Sequence, residues 1–138
     1  MRRLPPPQPC PCGRIGPANK ALSLLECCGR FLDDFAGRPA PDAESLMRSR
    51  YSAFVLERAA YLLATWHPSH RPPTIDFDAG VKWLGLEVRQ QRLLDASHAE
   101  VEFVARQKSA GSAAIRLHVR SRFVFADGRW FYVAGDQL

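Results

Sequence analysis

Four cysteines lie in two close pairs near the start of the 138-residue chain: Cys10 with Cys12, then Cys27 with Cys28. No cysteine occurs elsewhere in the sequence. Two short-spaced pairs joined by a loop are typical of a tetrahedral zinc site with four thiolate ligands. Four protein ligands leave no position for water, so the sequence predicts a structural zinc ion and not a catalytic one. Redox-active thiols, or a motif that has lost its metal, are the alternatives.

Positive charge is concentrated around these cysteines. The chain has a net charge of +5. In residues 1–30 the single acid Glu26 faces five cations: Arg2, Arg3, Arg14, Lys20 and Arg30. We interpret Arg14, Lys20 and Arg30 as candidate contacts for a nucleic acid or an acidic protein partner. An ordinary solubilising surface is the alternative interpretation.

Length and composition indicate one ordinary domain with a small appendage. No apolar run approaches the roughly 20 residues that a membrane-spanning helix needs. The first seven residues are basic and proline-rich, and no apolar stretch follows them, so they do not resemble a secretory signal. We therefore expect a cytoplasmic protein without a membrane partner. Thiols stay reduced in the cytoplasm, which favours metal binding over disulfides.

The chain divides into three parts by composition. Residues 1–35 hold the proline-rich start and the cysteine module, residues 36–41 (Ala-Gly-Arg-Pro-Ala-Pro) read as a linker, and residues 42–138 form the main domain. Within the module, residues 19–26 are predicted to form two helical turns with Asn19 as N-cap, stopped by Gly29 after the second cysteine pair.

Helices are predicted first in the main domain. Asp42 is a suitable N-cap, and the helix that follows carries an apolar stripe of Met47, Tyr51, Phe54 and Val55 with Arg50 inside it. A second short helix is predicted over about 60–66, ending before a proline. A third helical piece is predicted over 76–83.

Strands follow from about Leu84, where apolar residues begin to alternate with polar ones. The Asp127-Gly128 pair predicts a two-residue hairpin turn. In the register that this turn sets, four pairs face the helices: Phe125 with Trp130, Phe123 with Tyr132, Ser121 with Ala134, and Val119 with Asp136. An earlier turn would place Glu102 opposite Arg120 and Glu100 opposite Arg122. Helices followed by an antiparallel meander define an α+β domain.

The other face of the predicted sheet is partly apolar. Val104, Val124, Phe131 and Val133 lie there beside Arg116, Arg120 and Arg122. An apolar area on an outer sheet face predicts a homodimer or partner surface. Closure of the face by the C-terminus, or partial exposure in a monomer, is the alternative.

Short motifs along almost the whole chain resemble one bacterial family, the YchJ family, whose biochemical role is unassigned. They are Cys-Pro-Cys-Gly at 10–13, Cys-Cys-Gly at 27–29, Leu-Met-Arg-Ser-Arg-Tyr at 46–51, Leu-Leu-Ala-Thr-Trp-His-Pro at 62–68, Trp-Leu-Gly-Leu at 83–86, Phe-Val-Ala-Arg at 103–106, Ser-Arg-Phe at 121–123 and Gly-Arg-Trp-Phe-Tyr-Val at 128–133. The resemblance implies a SEC-C zinc-binding motif followed by a nuclear-transport-factor-2-like (NTF2-like), cystatin-like cone of helices packed on a curved antiparallel sheet.

The resemblance also implies where function lies. The related motif at the end of the translocase motor SecA binds zinc and helps to engage a chaperone, which suggests a protein partner. Folds of this type often hold a ligand between helices and sheet, so the candidate pocket residues are Arg50, Trp66, His67, Ser121 and Asp136. If the family pairs Arg50 with an acid, Asp136 is the only acid in the strand that could take that place. Alternatively, Arg50 forms a buried structural ion pair, Trp66 belongs to the core and His67 is a cap or packing residue. This chain departs from the usual motif in the fourteen residues between Cys12 and Cys27.

These observations favour a zinc-binding adaptor or binding protein. Its N-terminal module would contact a protein, or more weakly a nucleic acid, and its α+β domain would bind a partner or a small-molecule ligand. The alternative is a small enzyme, a hydrolase or isomerase, with its site in the α+β cone at Arg50, His67 or Asp136.

Overall fold

Helices precede strands along the chain, as the sequence predicts. The computed structural model describes residues 8–138, so Arg2, Arg3 and most of the proline-rich start lie outside the described residues. Within that range the α-helices are α1 (Gly29–Leu32), α2 (Ala43–Val55) and α3 (Ala59–Ala64). The strands are β1 (Val81–Asp95), β2 (His98–Ser109), β3 (Ile115–Ala126) and β4 (Arg129–Gln137). The α+β class is confirmed.

The longest helix, α2, begins where the sequence predicts. Asp42 is its N-cap, because the carboxylate accepts a hydrogen bond of 2.7 Å from the Ser45 amide. Glu44 adds negative charge to the first turn, which complements the helix dipole. The helix ends at Val55, and Glu57 then adopts a left-handed conformation with φ of 57° that turns the chain into α3.

The four strands form one antiparallel meander in the order β1-β2-β3-β4. The predicted pairs Glu102 with Arg120 and Glu100 with Arg122 are confirmed in the β2–β3 register. The predicted hairpin is also confirmed at its closed end, where Phe125 pairs with Trp130. Their rings meet edge to face at 5.4 Å.

Further along β4 the predicted register is wrong by one residue. Val133 is an extra residue that bulges out between the pairs Phe123–Tyr132 and Arg122–Ala134. A one-residue bulge reverses which face each later side chain occupies. The pairing of Val119 with Asp136 therefore does not occur.

Backbone contacts from the segment after α3 coincide with this bulge. The Tyr132 amide donates to the Thr65 carbonyl, and the His67 amide donates to the Tyr132 carbonyl, each at 2.8 Å. The Trp66 indole donates to the Val133 carbonyl at 3.1 Å. This segment therefore covers the free edge of β4, and α3 ends at Ala64, earlier than predicted.

The prediction of a third helical piece over 76–83 is wrong. Strand β1 begins at Val81, which pairs with Ser109 at the far end of β2. A long partner strand supplies hydrogen bonds for this segment that an isolated helical turn would have to supply itself. Trp83 then packs its ring against Tyr51 of α2 at 5.6 Å.

One continuous core joins the helices, the sheet and the cysteine segment. Leu46, Leu62, Val101 and Phe123 are almost completely buried, and the four cysteines belong to the same cluster. Each large apolar side chain buried in this way contributes roughly 1.5–3 kcal/mol. The shared core does not decide whether the chain divides at the predicted linker, so the boundary at 36–41 remains a prediction.

The outer sheet face carries several charge pairs. His118 lies 2.8 Å from Glu102, and Arg120 lies 3.6 Å from the same carboxylate. The Phe131 ring packs against His67 with centroids 5.8 Å apart. Homodimer formation through this face remains a prediction.

Hydropathy gives a separate result. None of the helices in residues 8–138 has the length and apolar character that crossing a bilayer requires.

The α2 cap gives the first testable prediction. Asp42→Ala removes the acceptor for the Ser45 amide and is expected to lower the free energy of unfolding by about 1 kcal/mol in urea denaturation. Asp33→Ala is the control, since its 3.5 Å ion pair with Arg58 is exposed and contributes little. Equal losses in the two variants would contradict the assigned cap.

Candidate metal centre

A tight turn brings the first two cysteines together. The Gly13 amide donates to the Cys10 carbonyl at 3.2 Å, which closes the turn through Cys12. Gly13 has a φ of 74°, in the left-handed region that residues other than glycine rarely adopt. The Cys-Pro-Cys-Gly spacing therefore fixes the geometry of one half of the site.

The long insertion between the cysteine pairs folds back on itself. Ile15 and Ala21 form an antiparallel bridge, and a single 3-10 turn, Pro17–Asn19, lies at the tip. The Cys10 amide then donates to the Leu22 carbonyl at 2.9 Å, so the excursion returns to where it began. The fourteen intervening residues thus do not keep the two pairs apart.

The predicted helix with Asn19 as N-cap is wrong. Asn19 has a φ of 57°, a left-handed conformation that an α-helix does not continue. A serine-bonded turn begins four residues later, where the Ser23 hydroxyl accepts from the Glu26 amide and donates to the Glu26 carboxylate. The turns that follow deliver Cys27 and Cys28.

Gly29 begins a helix, although the sequence predicted that it would end one. Its amide donates to the Leu24 carbonyl at 2.7 Å, and α1 starts at this residue. A Cβ atom at this position would lie 2.6 Å from the same carbonyl oxygen. Only glycine permits this close approach, and the Cys-Cys-Gly sequence reflects it.

The four thiols converge on one point. All four sulfurs lie within 4.8 Å of one another, and those of Cys12 and Cys27 are 3.6 Å apart. A tetrahedral ion with metal–sulfur bonds of about 2.3 Å would hold its sulfurs about 3.8 Å apart. The thiols are unpaired by disulfides and between 0% and 6% exposed. The donor set and spacing fit a closed metal site.

Burial opposes loss of the thiol protons when no cation is present. It raises the pKa of Cys27 to about 12, with the Cys12 charge adding to the effect. Hydrogen bonds from Cys10 and Cys12, followed by burial, raise the pKa of Cys28. Hydrogen bonds from its neighbours lower the pKa of Cys10. A bound cation would allow all four sulfurs to be thiolates and would displace the shared protons.

Helix α2 supplies the contacts around the cluster. The Ser52 hydroxyl lies 3.5 Å from the Cys10 sulfur, and Arg48 donates from Nη1 to the Cys12 carbonyl at 3.1 Å. Sequence analysis missed both residues. The signal for Ser52 is a row of serines at helical spacing on α2, Ser45, Ser49 and Ser52, all of which the structure buries; a buried polar group needs a partner.

The three predicted cationic contacts have different surroundings. Arg14 donates to the Ser45 hydroxyl at 2.9 Å and lies 3.5 Å from the Glu44 carboxylate. Arg30 donates to the Cys27 carbonyl at 3.0 Å. Lys20 is exposed. Two of the three therefore hold the cysteine module together or fix it to α2.

A cavity of about 210 Å³ lies between α2 and the sheet. Three of the predicted pocket residues line it: Arg50, Trp66 and Ser121. Tyr132, which sequence analysis did not assign to the pocket, also lines it. The predicted pairing of Tyr132 with Phe123 on the inner face could have identified it as a pocket residue.

The other two predicted pocket residues lie elsewhere. The Val133 bulge turns Asp136 to the outer face, where its carboxylate accepts a 2.6 Å hydrogen bond from Arg122. The His67 ring bonds the Ser69 hydroxyl at 2.7 Å in an exposed loop. The expected pair of Arg50 with Asp136 is therefore wrong.

The fold and the cluster together define the class of protein: a four-cysteine module with metal-site geometry, packed on an NTF2-like α+β domain. A family described as "YchJ, middle NTF2-like domain" matches residues 42–135. A UPF0225 protein of Polaromonas sp. is 76% identical over 127 residues, which cover 92% of this chain and 91% of that protein. A UPF0225 protein of Polaromonas naphthalenivorans is 62% identical over 137 residues, covering 94% and 98%. The chain belongs to the YchJ family.

Solved structures are similar over the same length. A SEC-C motif containing protein from Rhodopseudomonas palustris superposes with a TM-score of 0.78 at 32% identity, covering 95% of this chain and 99% of that one. Another from Psychrobacter arcticus has a TM-score of 0.76 at 32% identity, covering 92% and 81%. The resemblance inferred from the motifs is confirmed.

The Ser52 contact gives the second prediction. Ser52→Ala removes the hydroxyl beside the Cys10 sulfur and is expected to weaken metal retention about 10-fold in competition with a chelator. Ser49→Ala is the matched control, because Ser49 is equally buried but bonds the Tyr61 hydroxyl at 2.7 Å instead. The same metal affinity in both variants would argue against a role for Ser52.

Proposed function

We propose that this protein is a zinc-stabilised binding protein. The four cysteines would hold a structural zinc ion that fixes the N-terminal module to α2. The cavity on the other side of α2 would receive a small-molecule ligand. The observation that carries the proposal is that α2 contacts the cluster of buried thiols through Arg48 and Ser52 and lines the cavity through Arg50 and Phe54.

Donor chemistry supports zinc as the metal. Four thiolates in a closed tetrahedral shell suit Zn²⁺, which has no redox chemistry and no preference for another geometry. Cys10, Cys12, Cys27 and Cys28 would be its ligands. The ion would supply folding free energy by cross-linking two turns that bury few apolar side chains of their own.

The geometry of α2 supports coupling between metal and cavity. Residues two positions apart on a helix point about 200° away from each other. Arg48 and Ser52 face the cysteine module, whereas Arg50 and Phe54 line the cavity. A shift of α2 on loss of the metal would therefore move the cavity wall.

A protein partner is proposed for the module. Ile15 and Leu25 are large apolar side chains that are 55% and 74% exposed, and Lys20 lies in the same segment. An exposed apolar area with nearby positive charge suits an acidic, partly apolar protein surface. The internal contacts of Arg14 and Arg30 make nucleic acid a weaker candidate.

The enzyme alternative has less support. It placed the site at Arg50, His67 or Asp136, and of these three only Arg50 lines the cavity. We therefore propose binding as the function of the cavity.

The metal prediction is tested by elemental mass spectrometry on protein purified without added metal. We expect one zinc per chain and four thiols that become reactive only after chelation. Cys27→Ser should lose the zinc. Metal-free protein with four reactive thiols would refute the zinc proposal.

Hydrogen exchange on the same samples tests the coupling. After chelation, residues 10–32 and the segment 45–54 of α2 are expected to lose protection, because they share the cysteine core. Strands β2 and β3 should retain more protection and serve as the internal reference. An α2 whose protection does not change would contradict the coupling.

Ligand binding is tested by a fragment screen with ¹⁵N-labelled, metal-loaded full-length protein. We expect saturable shifts centred on the indole of Trp66 and the amides around Ser121 and Tyr132. Amides of the β2–β3 outer face should stay unchanged. No saturable shift at the cavity from any fragment would contradict the binding function.

A further inference from the structure

We propose that the cavity binds a small monocarboxylate whose carboxylate pairs with Arg50 and whose compact apolar tail fills the rest of the space. The inference rests on the proposed function of the cavity as a ligand site. It adds the chemical class of the ligand and the residue that selects it.

Arg50 is a buried cation without an acidic partner. The residue as a whole is 3% exposed. Nη1 uses its two hydrogens on the Leu62 carbonyl at 2.8 Å and the Thr65 hydroxyl at 2.7 Å. Within residues 8–138 no carboxylate makes an ion pair with it, and Nε and Nη2 have no hydrogen-bond partner. A buried charge of this kind is costly unless a counter-charge meets it.

The surrounding rings leave one edge of the guanidinium available. Arg50 lies over the Tyr132 ring at 4.3 Å and over the Trp66 ring at 5.2 Å. Such cation–π contacts offset part of the cost of burying the charge. They do not use the N–H groups of Nε and Nη2 as hydrogen-bond donors. That pair of donors is the fork that binds a carboxylate through two parallel hydrogen bonds.

The open space next to Arg50 is the cavity that it lines. No fully buried side-chain nitrogen or oxygen in the described part of the chain lacks a partner. The unpaired nitrogens of Arg50 therefore touch accessible space, and with so little exposure the cavity is where they meet it.

The rest of the wall suits a small acid. Met47, Phe54, Phe103 and Val119 give it a mostly apolar lining. At about 210 Å³, it is smaller than the roughly 300–1,000 Å³ of sites for drug-sized ligands. A compact tail such as a single ring fits this size class. One available guanidinium edge matches a monoanion better than a phosphate dianion, which needs more donors.

Two hydroxyls add polar contacts beside the cation. Ser121 and Tyr132 line the cavity, and each carries a hydroxyl that can donate a hydrogen bond. Burial raises the pKa of Tyr132, so this hydroxyl stays a donor at neutral pH. Burial lowers the pKa of Arg50 to about 10, which still leaves it charged at neutral pH. Cation and donors are thus available together.

The test uses a charge series on the full-length, metal-loaded protein. Benzoate, benzamide and benzylamine share one ring and differ in charge, and inorganic phosphate supplies an anion without a tail. Binding is followed by ¹⁵N NMR titration at the Trp66 indole. We expect benzoate to bind at least 10-fold tighter than benzamide, and benzylamine and phosphate to cause no saturable shift.

Variants separate Arg50 from the rest of the surface charge. Arg50→Met should remove the preference for benzoate over benzamide, whereas Arg122→Met should keep it, because Arg122 lies on the outer face with Asp136. If Arg50→Met does not fold, Val119→Phe fills the cavity while retaining Arg50, and it should abolish benzoate binding.

Each remaining outcome overturns the proposal. Equal binding of benzoate and benzamide would refute the charge selectivity while leaving the binding function intact. Binding of phosphate without benzoate would assign the cation to a different ligand. A benzoate preference that survives Arg50→Met would place the carboxylate elsewhere. Absence of binding by the whole series, with neutral fragments still shifting cavity residues, would refute the ligand class alone.

Discussion

Four thiols packed within 4.8 Å of one another and shielded from water cannot all lose their protons unless a cation lies among them. This constraint organises the N-terminal quarter of the protein. Both turns that carry the cysteines contain a glycine at the point where a side chain would clash or strain the backbone. The insertion between them closes on itself, so its length costs little in loop entropy. The cluster is thus the interaction that makes the module a folded part of the protein.

Helix α2 transmits this constraint to the rest of the fold. One of its sides contacts the cysteine module through Arg48 and Ser52, and the other lines the cavity through Arg50 and Phe54. Because the core is close-packed, a displacement on one side is felt on the other. The module and the α+β domain therefore behave as one packing unit in this structure, even though composition alone divides them at a proline-containing linker.

Local signals in the sequence were enough for much of this arrangement. The Asp42 cap, the Asp127-Gly128 turn and the period-two alternation depend on neighbours in the chain, and the structure agrees with each. The two closely spaced cysteine pairs likewise indicated that the four sulfurs converge on one site. The Val133 bulge could not be read in this way, because it coincides with contacts from Thr65, Trp66 and His67, more than sixty residues away along the chain. The helix predicted to begin at Asn19 was wrong because asparagine suits both an N-cap and a left-handed turn.

That single bulge decides the chemistry of the cavity. Without it, Asp136 would lie opposite Val119 on the inner face and could neutralise Arg50 from within the chain. With it, Asp136 pairs with Arg122 outside, and Gly135 takes the inner position opposite Ser121. An internal ion pair would have closed the site, whereas a guanidinium that contacts two aromatic rings and no carboxylate keeps an unmet charge. Since the cost of burying that charge would fall when an anion binds, the register of one edge strand is what leaves Arg50 available for the proposed recognition of a carboxylate.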